Sequence, residues 1–485
     1  MAKQFADLRL GVRLQVLTER QMEDIHLASL EILSRTGVAV EDAEARALLA
    51  KHGATVTDGD RVRIPAGLVK SALVSAPERI MLYDRKDRPA VDLGADRSYF
   101  GTGSDTPTYV DPYDGGLTKT SRESVVTVAR LCDALPNIDF VMSMGIASER
   151  PGTSSFVHQY AAMQEGSAKP IIFTAQGRKD IAPIHEIALA AAGGDEGLLR
   201  LHPRSLLYTE PVSPLILTHK AMEMTLFCAE KSIPMTFPTG MMCGATGPVT
   251  LAGSIALGNA ETLAALTVLE LAAPGSPFVY GGNVSVMDMR TSLFTYAAPE
   301  FHLAFAAFAD LGHWYKLPIW GLAGASDAKT LDAQAAAEAA YEILLARLSG
   351  SNLVHDVGYL NTGLTASMEM IVLCDEIIDY TKRISRGIEV SDRTLALDVI
   401  DQVGPRGNFL ETEHTFDNFR EHIWQPALFE RNSYAAWQAA GSKDLFTKLN
   451  ERVKEILATH QPEPLAKDAS KKIAKILAER EKLKE

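Results

Sequence analysis

The chain has 485 residues, 46% hydrophobic and 22% charged, and a formal net charge of −13. This is enough apolar content for a large buried core, and an acidic chain without Lys/Arg clusters interleaved with aromatics excludes nucleic acid as the expected partner. No apolar run approaches the roughly 20 residues of a membrane helix, and the start MAKQFADLRLGVRLQVL lacks the apolar core of a signal peptide, so no membrane association and a cytoplasmic location are expected.

Residues 17–36 carry an apolar face (Ile25, Leu27, Leu30, Ile32, Leu33) behind the capping pattern Thr18-x-x-Gln21, which predicts a helix stopped at Gly37. A second helix is predicted over 41–52. The pieces RVRIP and RIMLYD read as short strands flanking a helix from Ala66 to Ser75. Residues 1–96 thus form a helical and β-hairpin layer of their own.

From Arg97 the texture changes to short apolar runs alternating with longer helical stretches. Candidate strands are Ser98–Thr102, Phe140–Met144, Ile171–Ala175, Leu206–Glu210, Pro234–Pro238, Phe278–Gly282, Pro318–Leu322 and Leu353–Val357. Candidate helices between them are Arg122–Ala134, Phe156–Glu165, Asp180–Ala192, Pro214–Lys231, Gly253–Ala273, Glu300–Tyr315 and Leu331–Ser349. Such alternation predicts an α/β protein, a (β/α)8 TIM barrel over residues 97–388. A doubly wound open sheet is the alternative, but no strand leads into a Gly-x-Gly-x-x-Gly turn and helix. The remainder, 389–485, is a C-terminal helical extension; its end, KKIAKILAEREKLKE, reads as a solvated helix or a docking arm.

In a parallel barrel the C-terminal strand ends converge on one mouth, where active sites sit. Those ends bring Gly103, Ser104 and Asp105; Thr174 and Gln176; Tyr208, Thr209 and Glu210; Phe237 and Thr239; Tyr280 and Asn283; Trp320, Ser326 and Asp327; and His355 and Asp356. Aromatics beside carboxylates suit a quaternary ammonium, which has no N–H to donate and is held by ring quadrupoles and diffuse charge. Single aromatics in barrel strands are also ordinary core, and an acid after an apolar strand is seldom needed for packing. The four cysteines, Cys132, Cys228, Cys243 and Cys374, have no CxxC spacing and read as buried thiols, so no metal site is signalled. There is no Ser-His-Asp or Cys-His arrangement.

Five stretches together resemble the trimethylamine methyltransferase family: EILSRTGVAVED, SYFGTGSDTPTYVD, CGATGPVTLAGSIALGNAETLAAL, SDAKTLDAQAAAEAA and GSNLVHDVGYLNTGL. The resemblance covers essentially the whole chain. It implies a (β/α)8 barrel that moves a methyl group from a methylated amine to the cob(I)alamin of a separate corrinoid protein, with no tightly bound cofactor of its own, in one-carbon metabolism or methanogenesis. The founding archaeal branch carries pyrrolysine in the barrel; this chain has only standard residues. An amine leaves a methyl carbon readily only if it departs neutral, so it must be positively charged and fully substituted beforehand. A quaternary amine meets that condition unaided. The resemblance therefore implies a glycine betaine methyltransferase-like enzyme for glycine betaine or a related betaine.

On this reading Phe237, Tyr280 and Trp320 with Glu210 or Asp327 form the cation box, while His355, Asn283 and Asn361 hold the carboxylate. No protein nucleophile or general acid is required. A barrel lyase or aldolase, or a non-catalytic betaine-binding barrel, are the alternatives. The first would want a strand-end lysine, and Lys169, Lys316 and Lys329 lie outside the strand ends. A homo-oligomer is expected from the apolar fraction.

Overall fold

The computed structural model describes residues 11–150, 152 and 154–482. The first ten residues and the last three of the charged tail lie outside the described residues.

Eight parallel strand positions close into a ring. They are Tyr99–Thr102, residues 140–141, Ile171–Phe173, Ser205–Tyr208, Met235–Thr236, Phe278–Val279, Trp320–Leu322 and Leu353–Val357. Ladders join the third to the sixth, and the seventh through the eighth to the first. Single bridges, Gly101 to Phe140, Val141 to Ile171 and Tyr280 to Ile319, complete the circle. The second position is shorter than the predicted Phe140–Met144 because a side chain replaces the ladder: the Thr102 hydroxyl accepts from Met142 N (2.9 Å) and donates to Met142 O (3.1 Å).

The helices follow the predicted order, with Arg122–Ala134 coinciding. One starts late: His219–Lys231 begins five residues after the predicted Pro214, behind the N-cap Thr218. Residues 216–217 instead run parallel to Val38–Val40 of the N-terminal layer. The layer is thereby stitched to the loop after the fourth barrel strand. Its first helix, Glu19–Glu31, has the expected capping box between Thr18 and Gln21, and finishes in a π turn, Ile32–Thr36.

Helix Leu251–Ala272 corrects the expectation about apolar runs, since its 22 residues are long and apolar enough to cross a membrane. It is apolar all round because it is packed all round, between the barrel and the N-terminal layer. Two of its polar side chains tie it to its neighbours: Glu261 accepts from Ser213 Oγ (2.8 Å) and Leu215 N (2.6 Å), and Asn259 donates to Ser29 Oγ (2.9 Å).

Two sheets rise above the strand ends. Thr239–Cys243, Gly282–Asp288 and Leu293–Thr295 extend the fifth and sixth strands, and Tyr359–Leu360 and Thr365–Ser367 pair with Thr108–Val110 and Leu117–Lys119 above the eighth and first. In the C-terminal extension, Leu445–Thr459 buries Leu449, Val453, Ile456 and Leu457. The final helix, Lys467–Arg480, is docked: Ala469 and Ile473 are buried, and Arg480 pairs with Asp180 at 3.1 Å.

Candidate active site

The strand ends and these two sheets enclose an open cavity of about 470 Å³ at the barrel mouth. Its acidic side is built by a bulge. Strand Leu353–Val357 loses register against the first strand between Val354 and Val357, so two residues, His355 and Asp356, stand where one would pair. Bulges re-aim side chains beside active sites, and Asp356 takes a positive φ of 77° to do so. Both residues line the cavity, with His355 Nδ1 2.6 Å from Asp356 Oδ1. The first strand makes room: a Cβ at Gly103 would collide with the Tyr359 ring and the Asp356 carboxylate.

Glu210 follows the fourth strand. Its side chain is exposed to the cavity but ringed by protein, and this loss of hydration lifts its pKa to about 7, against the opposing pull of the Tyr208 hydroxyl and His355. The Tyr208 hydroxyl donates to Glu210 Oε2 at 3.2 Å, and Gly240 leaves the space the carboxylate occupies. The Tyr208 ring lies edge-on to His355 at 5.3 Å; Trp320, 1% exposed, packs against both at 5.9 and 4.8 Å.

A third carboxylate comes from the first strand. Asp105 accepts from Thr174 Oγ1 (3.0 Å) through Oδ2, its other oxygen is buried without a partner, and burial raises its pKa. Asn283 Oδ1 is likewise buried and unpartnered at the cavity wall. Tyr296 and Tyr359 meet edge to face at 6.0 Å, and the Tyr359 hydroxyl donates to Ser104 O. Burial, with Asp356 nearby, keeps both phenols well above their ordinary range and therefore neutral.

Of the residues selected from sequence, Glu210, Asn283 and His355 meet in this cavity, with Trp320 directly beneath. Asp327 stands one layer away, its carboxylate accepting from Tyr296 N (2.8 Å) and Ala297 N (3.2 Å), so it positions a cavity tyrosine. Asn361 donates its backbone N–H to Ala328 O at 2.8 Å in the turn whose next residues, Thr362 and Gly363, line the cavity. Phe237 is fully buried and does not line it. Tyr280 faces the outer helices: its hydroxyl donates to Asn259 Oδ1 (2.7 Å) and its ring meets Tyr315 at 5.2 Å.

Sequence reasoning missed Tyr296, Tyr359 and Lys220. The tyrosines lie beyond the strands, on the rising sheets, and Lys220 lies on the first turn of a mouth-side helix, 3.5 Å from Gln176 Oε1. Only the Gly358-Tyr359 pair immediately after strand eight carried a local signal. Among the described residues no group of His, Cys, Asp and Glu is placed to hold a metal ion.

Fold and cavity together define a (β/α)8-barrel protein whose mouth combines three carboxylates with tyrosine rings. The sequence matches the family described as "Trimethylamine methyltransferase (MTTB)" over residues 5–484, and the chain belongs to that family. It is 32% identical to trimethylamine methyltransferase MttB of Desulfitobacterium hafniense (strain DSM 10664 / DCB-2), over 97% of this chain and 95% of the relative. It is 29% identical to a glycine betaine methyltransferase of Desulfitobacterium hafniense (strain Y51), over 96% and 97%. Among solved structures, the Methanosarcina barkeri monomethylamine methyltransferase (MtmB) superposes with a TM-score of 0.53 at 11% identity, covering 94% of this chain and 90% of that one, which shows a shared fold. Family membership makes the chain a methyltransferase of methylated amines.

Proposed function

We propose that this enzyme moves a methyl group from a quaternary amine, glycine betaine or a related betaine, to the cob(I)alamin of a separate cytoplasmic corrinoid protein, releasing a tertiary amine. The observation that carries the reading is the convergence of Asp105, Glu210 and Asp356 with the rings of Tyr208, Tyr296 and Tyr359 on one cavity. A permanently charged ammonium suits such a place, because it is held by ring faces and diffuse negative charge and needs no acceptor aligned to it. The relatives named for trimethylamine and for glycine betaine stand at similar identity, so the site chemistry and not the identity selects between them. With standard residues only, this chain favours the substrate that needs no activation.

The open mouth fits a corrinoid partner, since the cavity is reached from the strand ends without crossing the barrel. When docked, cob(I)alamin supplies the nucleophile. The residues of this chain bind and orient: Glu210 and the tyrosines fix the cation, His355 and Asn283 hold the betaine carboxylate together with Lys220 at the rim, and one methyl group is turned outward in a near-attack arrangement. Trp320 backs His355 and Tyr208, keeping water from the inner end.

The deciding experiment is anaerobic. Purified protein is mixed with cob(I)alamin and a panel of quaternary and tertiary amines, and the cobalt spectrum is followed. Methylcob(III)alamin formed with a betaine and not with trimethylamine is the expected result. Betaine binding by calorimetry without methylation by free or protein-bound cobalamin would favour the binding-protein reading, and methylation by trimethylamine alone would overturn the substrate assignment.

A further inference from the structure

A second cavity, of about 530 Å³, lies where helices Glu19–Glu31 and Ala66–Ser75 of the N-terminal layer meet the C-terminal end of helix Pro299–Tyr315. Its size falls within the range of small-molecule sites, roughly 300–1,000 Å³. Lys316 lines it, just after that helix and shortly before the start of strand Trp320–Leu322, which puts the cavity at the end of the barrel away from the mouth.

The hydrogen bonds beneath this cavity fix where one proton points. Ser29 Oγ gives its proton to a carbonyl, that of Ile25 (2.9 Å) or of Ala256 (2.8 Å), so it accepts from Asn259 Nδ2 (2.9 Å). The second proton of that amide goes to the Tyr315 hydroxyl oxygen (2.9 Å), and Asn259 Oδ1 accepts from Tyr280 (2.7 Å). Tyr315 therefore donates its own proton to His26 Nδ1, 2.9 Å away. Burial and the nearby Lys70 ammonium lower the pKa of His26, so its ring is neutral, and a neutral ring whose Nδ1 accepts carries its proton on Nε2. His26 is only 7% exposed, yet among the described residues Nε2 has no partner and is not sealed from the cavity. It is a buried N–H donor left free.

Two cations stand at the rim. Neither the Lys70 nor the Lys316 ammonium has a hydrogen-bond or ion-pair partner among the described residues, and Glu78 is the one acid lining the cavity. The balance is a single positive charge, in a chain of net charge −13. The rest of the wall is apolar: the Trp314 ring, 5.3 Å from that of His26, with Leu73 and Val74 beside it. A flat apolar body suits that wall, and the two oxygens of one carboxylate suit an N–H and an ammonium.

We propose that this cavity binds a small aromatic carboxylate, its ring against Trp314 and its oxygens on His26 Nε2–H and the two lysines. The site is separate from the mouth and stands whatever amine is demethylated there. The test uses the full chain and benzoate. In calorimetry at pH 8 the wild type should bind benzoate, and should bind benzamide, which keeps the ring and lacks the charge, roughly tenfold more weakly. The double variant Lys70→Gln/Lys316→Gln should also lose roughly tenfold in benzoate affinity. Both lysines are exposed, so this variant should fold and keep the wild-type melting temperature. No heat with benzoate, equal affinity for benzamide, or a double variant that binds benzoate as the wild type does would each overturn the proposal. Lys220 at the mouth is the competing cation. Lys220→Gln should leave benzoate affinity unchanged, and a loss of benzoate binding there would move the ligand to the mouth and overturn the proposal as well.

Discussion

Asn352 and Lys169 at the closed end of the barrel and Asp105 and Asn283 at its mouth differ in how their buried polar atoms are used. At the closed end two side chains, Asn352 and Lys169, use all their donors within the fold, although Ser98 Oγ, Tyr99 Oη and Arg204 Nε are buried near there without a partner. Asn352 accepts from Ile319 N (2.8 Å) and donates to Ala95 O (2.9 Å) and Arg97 O (2.7 Å), tying the starts of the seventh, eighth and first strands. Lys169 gives its ammonium to the carbonyls of Cys132 (2.6 Å), Leu135 (2.7 Å) and Ile138, where helix Arg122–Ala134 ends. At the mouth, Asp105 Oδ1 and Asn283 Oδ1 have no partner, and three carboxylates share one cavity with a single nearby lysine. Buried polar groups are ordinarily bonded, and an unmade bond costs stability. Asn352 and Lys169 spend their polar groups on the fold; Asp105 and Asn283 keep an oxygen unpartnered at the wall of the mouth cavity.

The sharpest way to break that contrast is to remove a donor at the closed end. Lys169→Met strips three carbonyls of their common partner and should lower the unfolding free energy by about 3 kcal/mol, read from denaturant midpoints, while quaternary-amine affinity stays unchanged. A smaller effect of the opposite kind is expected at the mouth. Glu210→Gln keeps the Tyr208 contact but removes the charge, so at pH 8 it should weaken quaternary-amine binding by about 2 kcal/mol, roughly thirty-fold, in calorimetry. Its stability should change by less than about 1 kcal/mol, because the ionised form is already disfavoured there. If Glu210→Gln destabilised the protein as much as Lys169→Met, the two ends would not differ in the way described.

How much of this was readable from the chain follows from what is local. Parallel barrel strands buried on both faces are short apolar runs, and three of the helices between them carry side-chain caps at Ser121, Thr218 and Asp332, so the (β/α)8 order is written in sequence. Glu210, Asn283 and His355 line the cavity as expected of side chains that lie at or just past a strand end. Phe237 and Tyr280 also follow strands but do not line the cavity: successive side chains in a strand alternate between faces, so which of them reaches the centre depends on a register that no local pattern sets. Tyr296 and Tyr359 come from sheets formed above the barrel by segments far apart in sequence, and Tyr296 is held by Asp327 across the seventh-strand loop. The apolar composition of Leu251–Ala272 reflected a helix covered on all sides, information that only the N-terminal layer packed over it supplies.

The finest test of the mouth uses the proton on Glu210. A quaternary ammonium has no titrating group of its own, so any pH dependence of its binding belongs to the protein. Burial holds Glu210 near a pKa of about 7 in the free enzyme. A bound cation favours the carboxylate over the acid, so it lowers that pKa, and below pH 7 binding must also expel a proton. Affinity should therefore be flat above pH 8 and fall about tenfold between pH 8 and pH 6, or about 1.4 kcal/mol, with proton release on binding in that window. The groups facing Glu210, namely Tyr208, His355, Asp356 and Glu261, remain in the Glu210→Gln variant, so they serve as the internal control. The variant should bind weakly at every pH and lose that tenfold fall. A wild-type profile as flat as that of the variant would mean that Glu210 does not face the bound cation, and would leave Asp105 and Asp356 as the carboxylates that hold it.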